Sequence, residues 1–147
     1  RVMSSKGEIQ ITNSTGKAYF DFKKALAEVT DGIVNAATEA LDEAKQDGAL
    51  FAVQELRAES MSHGWHNYYK GWTSKAVKSR KQTRYIVHNK DYANLTHLLE
   101  NGHRIITVNG EDTGKRTKAI KHILPVYEKV PEVIDEAFTK RLKDKGL

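Results

Sequence analysis

Apolar positions in the first third of the chain recur at threes and fours. Phe22, Leu26, Val29, Ile33, Ala36, Ala37, Ala40 and Ala44 form one stripe with Lys, Glu, Asp and Gln opposite it, which predicts an amphipathic helix starting near Phe20. Asp47 and Gly48 then interrupt the run as a helix break would. A second periodic piece, Leu50, Phe51, Val53 and Leu56, continues to about Glu59, so the spacing fits either one long kinked helix or two collinear ones. Alanine dominates the stripe, and small side chains let another helix or a sheet come close.

After Met61 the period changes. Thr83–Asn89, TRYIVHN, is a β-branched and aromatic run that reads as a strand, and Trp72–Val77 pairs with it as a hairpin across the basic turn Lys78–Gln82. Tyr92, Leu95, Leu98 and Leu99 return to helical spacing. Asn101-Gly102 ends that helix, because glycine accepts the positive φ of a helix stop. Arg104–Val108, RIITV, reads as a further strand, and Asn109–Lys118 holds two glycines and no apolar residue, an exposed loop. The last pattern, Val126–Lys143, is a helix opened by Pro125, with Pro131 expected to kink it or mark its true start. At the other end, residues 1–17 mix Ser, Thr, Asn and Gly around Ile9 and Ile11, an edge strand or flexible arm. Together these predict one α+β domain in which a long N-terminal amphipathic helix and a C-terminal helix pack on a small antiparallel sheet.

Composition narrows the chemistry. A chain of 147 residues suffices for one core. No stretch approaches the ~20 apolar residues of a bilayer span, and no charged-then-apolar leader is visible. Cysteine is absent, which excludes disulfides, thiolate metal sites and a cysteine nucleophile. Twenty-four Lys and Arg against 19 Asp and Glu leave +5, a balance that permits contact with nucleic acid or an acidic protein face.

Several constellations invite a reactive reading, and most fail on spacing. His97, Glu100 and His103 superficially match a helical zinc motif, but Asn101-Gly102 ends the helix before the second histidine can share a face with the first. No Gly-x-Ser-x-Gly elbow is present, and Gly110 lies too close to Gly114-Lys115-Arg116-Thr117 for a phosphate-cradling loop. No metal or cofactor is expected, and no enzymatic activity. His97 is expected to pack under the sheet, with Glu100 and His103 hydrogen-bonding nearby backbone. The stretch 65–84 mixes Trp65, Tyr68, Tyr69 and Trp72 with Lys70, Lys75, Lys78, Arg80, Lys81 and Arg84, residue types that stack bases and neutralise phosphates, so a nucleic-acid-binding module is the alternative.

The succession SHGWHNYYKGW (62–72), YIVHN (85–89), LTHLLENGH (95–103), a glycine-bearing loop and HILP (122–125) before a terminal helix resembles the neck or tail-completion proteins of long-tailed bacteriophages. These are the minor tail components that join head to tail. The likeness runs from about residue 20 to the end. It departs at Ser62-His63-Gly64, where the family often has a Thr-Gly pair, and at the charged run Glu111–Lys118, which replaces a plainer glycine loop.

The resemblance implies a non-enzymatic virion part made in the host cytoplasm. It implies a homo-oligomeric ring, a hexamer, between the head-closure or connector protein and the tail terminator or tail tube, through which DNA passes without sequence-specific binding and with no membrane involved. On this reading Trp72, His97, Leu98, Glu100, Gly102, His103, His122 and Pro125 form the structural centre of a subunit. Ile9 and Ile11 in the arm, and Gly110, Glu111, Asp112, Lys115 and Arg116 in the loop, are expected to touch partners.

Overall fold

The computed structural model describes residues 7–25 and 31–147. Leu26 and Val29 of the first stripe lie outside the described residues. The chain runs β1 (Ile9–Ile11), α1 (Ala18–Ala25), α2 (Asp31–Ser62), a 3-10 turn (Tyr69–Gly71), β2 (Trp72–Lys78), β3 (Thr83–Asn89), α3 (Ala93–Asn101), β4 (Arg104–Ile106), β5 (Asp112–Arg116) and α4 (Leu124–Asp144). The class is α+β, with antiparallel sheets, one long helix and a C-terminal helix.

β3 is the centre of a three-stranded sheet in the order β1-β3-β2. The expected hairpin forms with Trp72 opposite Asn89 and Lys78 opposite Thr83. β1 joins the other side, pairing Ile9 with Val87 and Ile11 with Tyr85. Helix α2 covers this sheet, and α4 packs along α2 and against α1. Ala37, Ala40, Ala44 and Ala52 of α2 are buried with Val87 and Trp72 of the sheet and Val130, Ile134 and Phe138 of α4 in one core.

Two features of α2 differ from the sequence reading. Gly48 does not break the helix, which is continuous from Asp31 to Ser62. The glycine instead marks where α4 comes closest: a Cβ built on Gly48 would sit 2.6 Å from Cγ1 of Ile134. Glycine's propensity penalty of about 1 kcal/mol is outweighed by packing that no other residue permits. Lys45, assigned by spacing to the polar face, is fully buried. Its Nζ donates to Asn13 Oδ1 at 2.8 Å and to the Thr83 carbonyl, and meets Asp42 Oδ1 at 2.8 Å. A buried ammonium is tolerable only when its donors are met in this way, and here it ties the segment after β1 to both α2 and β3.

Pro131 also fails to interrupt its helix, since α4 extends from Leu124 to Asp144 with Pro125 in the first turn and Pro131 inside. On the face toward α2, Arg141 holds Glu43 at 2.8 Å and Asp47 at 2.6 Å. The Asp47 hydrogen bond is the largest influence keeping that guanidinium protonated. Asp135 of α4 reaches the start of α1, where its Oδ1 accepts from the N–H groups of Lys17 (2.9 Å) and Ala18 (3.1 Å). An acceptor borrowed from another element thus satisfies donors that a helix start leaves open.

Ile9 and Ile11 are correctly read as strand residues but not as partner contacts. Both are essentially inaccessible, at 1% and 0% exposure, because alternation along β1 points them into the core while Gln10 faces out. Asn109–Lys118 is exposed as expected, yet it is not a bare loop. Asp112–Arg116 forms β5 and pairs with β4, so a second hairpin projects from the body with every residue of both strands exposed.

Candidate functional site

The motif residues converge on the joint between α3 and α4. Helix α3 ends as the Asn-Gly pair predicts, with Gly102 at φ 72 and ψ 167, a positive φ without the αL ψ of a standard helix stop. A Cβ there would lie 2.6 Å from the Thr117 carbonyl oxygen, so close approach adds to the conformational demand. The chain leaves through β4, returns in β5 and is fastened by the Thr117 N–H donating to the His103 carbonyl at 2.8 Å.

The apolar spacing of α3 suggested that its leucines face the core. Leu95 is 42% exposed and Leu98 and Leu99 are half-buried, while Thr96 and Glu100 are the buried residues. Glu100 is drawn in because it has work for both oxygens. Oε1 accepts from the His122 and Ile123 N–H groups, each at 2.8 Å, and Oε2 from the Leu124 N–H at 3.0 Å. These are the donors at the start of α4, where the helix dipole also favours a negative charge. Burial alone would push the Glu100 carboxyl up, but the His122 side chain and the three backbone N–H groups outweigh it and hold the group at about 2.

The His122 imidazole extends the network. Its Nδ1 lies 2.9 Å from the Ile120 carbonyl and 3.1 Å from Glu100 Oε1, two acceptors that place the proton on Nδ1. Nε2 then accepts from the Tyr68 hydroxyl at 2.9 Å. Burial, with Glu100 nearby, drives the Tyr68 hydroxyl well above its usual range, so it stays a donor. Trp65, Tyr68 and Trp72 pack around His122 edge to face at 5.2 to 6.3 Å between ring centres. Trp72 Nε1 donates to Ser60 Oγ at 3.0 Å, and the Ser60 hydroxyl in turn donates to the Leu56 carbonyl at 2.7 Å. Asn89 completes the shell, donating to the Tyr68 carbonyl at 2.8 Å and accepting from Asp91 and Tyr92 at 3.2 and 3.0 Å.

Tyr68, His122 and Glu100 have the order of a proton relay, but each polar atom is spent on another group of the joint. Tyr68 is 6% exposed, Glu100 1% and His122 0%. What this arrangement does is fix the joint of α3, β4–β5 and α4 to the Trp72 end of the sheet.

Other motif residues stand apart from it. Pro125 is half-buried in the first turn of α4. His103 is exposed and bonds only locally, its N–H to Thr117 Oγ1 at 2.9 Å and its Nδ1 beside the Arg104 carbonyl at 3.0 Å. His97 is half-buried and lines a cleft of about 350 Å³ with Gly7 and Glu8 before β1, His88 and Asn89 of β3, and Asn94 and Thr96 of its own helix. Among the described residues no group of three or more His, Asp or Glu is placed to hold a metal ion. None of their helices is long and apolar enough to cross a membrane.

On the projecting hairpin, Gly110 turns at φ 86, and Glu111, Asp112, Lys115 and Arg116 are all exposed. Arg104 meets Asp112 at 3.4 Å, a solvated pair of small energetic weight. Ile105, Ile106 and Val108 are 40%, 51% and 106% exposed.

Sequence reasoning missed Ser60, Asn89 and Lys45; Trp72 is buried as a structural residue would be, and burial removes the base-stacking role that the alternative nucleic-acid reading gave Tyr68 and Trp72. A buried polar side chain leaves no periodic signal; only its partner reveals it. Compared with protein-family models, curated proteins and solved structures, the chain gives no match.

Proposed function

We propose that this protein is a structural subunit of the head-tail junction of a tailed bacteriophage, a neck or tail-completion protein without enzymatic activity. Copies assemble as a ring, hexameric by the resemblance, between the head-closure protein and the tail terminator or tube, around the channel through which DNA leaves the head.

One observation carries the reading. Glu100 and His122 of the 95–125 motif region are consumed in a buried joint, while the hairpin held by that joint stands exposed with three β-branched apolar side chains uncovered. An isolated two-stranded ribbon is marginal in water, and neighbouring apolar side chains left open on one are what a partner would cover. The test is complementation of a phage lacking this chain with a version missing residues 109–115. The shortened protein should fold, and heads and tails should accumulate unjoined; normal infectious particles would refute the assignment.

A second reading keeps one observation in its favour. Residues 60–90 carry Lys70, Lys75, Lys78, Arg80, Lys81, Arg84 and Lys90 and no Asp or Glu, so the positive charge of the chain is concentrated there. With Trp72 and Tyr68 in the core, such a module would bind through phosphates alone, and affinity for DNA should fall steeply with salt. A ring subunit should show little affinity for free DNA at any moderate salt.

A further inference from the structure

β2 is an open edge. β3 pairs with it on one side, and on the other the Trp72 carbonyl turns outward to accept from Arg57 Nε and Nη2 at 3.1 and 2.8 Å. Alternation along an antiparallel ladder therefore puts the backbone N–H and C=O of Ser74, Ala76 and Lys78 on that open side as well. Beside it runs a groove of about 520 Å³, bounded by Asp47, Leu50, Val53 and Arg57 of α2 and by Thr73 and Ser74 of β2. Leu50, in the middle of the groove, is 57% exposed. A free edge next to an apolar groove is the receptor half of a strand-addition contact.

The β4–β5 hairpin is the other half. Its first strand, Arg104–Ile106, is exposed throughout, and Val108 stands uncovered in the turn beyond it. The charges match. The groove has Asp47, whose Oδ2 also holds Arg141, at one end and Arg57 at the other, and the hairpin has Arg104 and Arg116 at its root and Glu111 near its tip. Root to Asp47 and tip to Arg57 is the sense that pairs opposite charges.

We propose that the hairpin of one copy of this chain docks in the α2–β2 groove of a second copy, with β4 adding antiparallel to the free edge of β2 and Ile106 lying against Leu50. The antiparallel sense follows from the charge match, because Trp72 lies at the Arg57 end of the groove and β2 runs from there toward Asp47. Donor and receptor are different surfaces, so the contact is head-to-tail, and repetition closes a ring if the rotation permits. This rests on the ring assignment above and names the partner of the hairpin.

Because the chain has no cysteine, the contact can be tested by pairing. The double variant Leu50→Cys/Ile106→Cys, built into particles and mildly oxidised, should pass from monomer to a ladder of disulfide-linked multimers, whereas each single variant stays monomeric. Particles that hold several copies but give no ladder would overturn the docking and leave the ring reading standing. Protection of Leu50→Cys from alkylation without a ladder would do the same, since another protein would then fill the groove. One copy per particle, or none, would overturn both. As a second variant, Ala76→Pro removes an outward N–H from the edge and should abolish the ladder while the subunit stays folded; an undiminished ladder would count against strand addition.

Discussion

Replacing Glu100 by glutamine probes the joint most sharply, because the prediction has a size and a pH signature. In the folded chain the carboxyl titrates at about 2, against an ordinary value of 4.5, a difference worth about 3 kcal/mol when the group is ionised in both states. The sign follows from the direction. A folded value below the unfolded one gives stability that is full above the unfolded value and is lost as pH falls toward the folded one. Glutamine keeps one acceptor for the His122 and Ile123 N–H groups but turns an N–H₂ or a second-rate contact toward Leu124, and it carries no charge for the helix start. Denaturant unfolding of the two proteins from pH 7 down to pH 2 should show the variant about 3 kcal/mol less stable at pH 7. For a chain of this size that corresponds to a melting temperature lower by about 6–12 °C. The gap should narrow between about pH 4.5 and 2. A gap that is absent at pH 7, or that does not change with pH, would refute the claim that the charge on Glu100 organises the joint.

Other substitutions test separate pieces. Gly48→Ala should destabilise despite alanine's better helix propensity, because its methyl group meets Ile134 Cγ1; combined with Ile134→Ala, which removes that carbon, it should cost less than the two single losses summed, read by thermal melting. A stabilised Gly48→Ala would mean that α4 does not approach there. Lys45→Met should cost about 3 kcal/mol in denaturant unfolding by stranding the Asn13 and Thr83 acceptors beside Asp42, and an unchanged midpoint would show that the lysine is not their donor. Gly102→Ala should cost about 2 kcal/mol or more, since alanine resists φ 72 and meets the Thr117 carbonyl; wild-type stability would contradict the observed turn.

Local signals were legible in the sequence wherever the cause is local. The β-branched run at 83–89, its basic turn and its Trp72–Val77 partner gave the hairpin, and Asn101-Gly102 gave the end of α3. Gly48 misled because propensity treats glycine as a breaker, whereas here the missing side chain makes room for Ile134. Lys45 misled because a helical wheel assigns faces by polarity, and its acceptors lie on β3 and after β1, far away in sequence. The leucines of α3 drew attention from Glu100, whose burial is dictated by the start of α4 more than twenty residues later. β5 escaped notice since Asp, Gly, Lys and Arg outweigh its one β-branched residue, Thr113, and it forms by pairing with β4 in solvent. The joint was thus visible as a cluster of motif residues, and its wiring was not.

We propose an architectural ring subunit at the head-tail junction, and its place in the particle decides the matter. Imaging of intact phage particles with the chain labelled tests it most directly. The account predicts several copies arranged around the DNA channel between head and tail; a chain absent from the particle, or present as one isolated copy elsewhere, would contradict it.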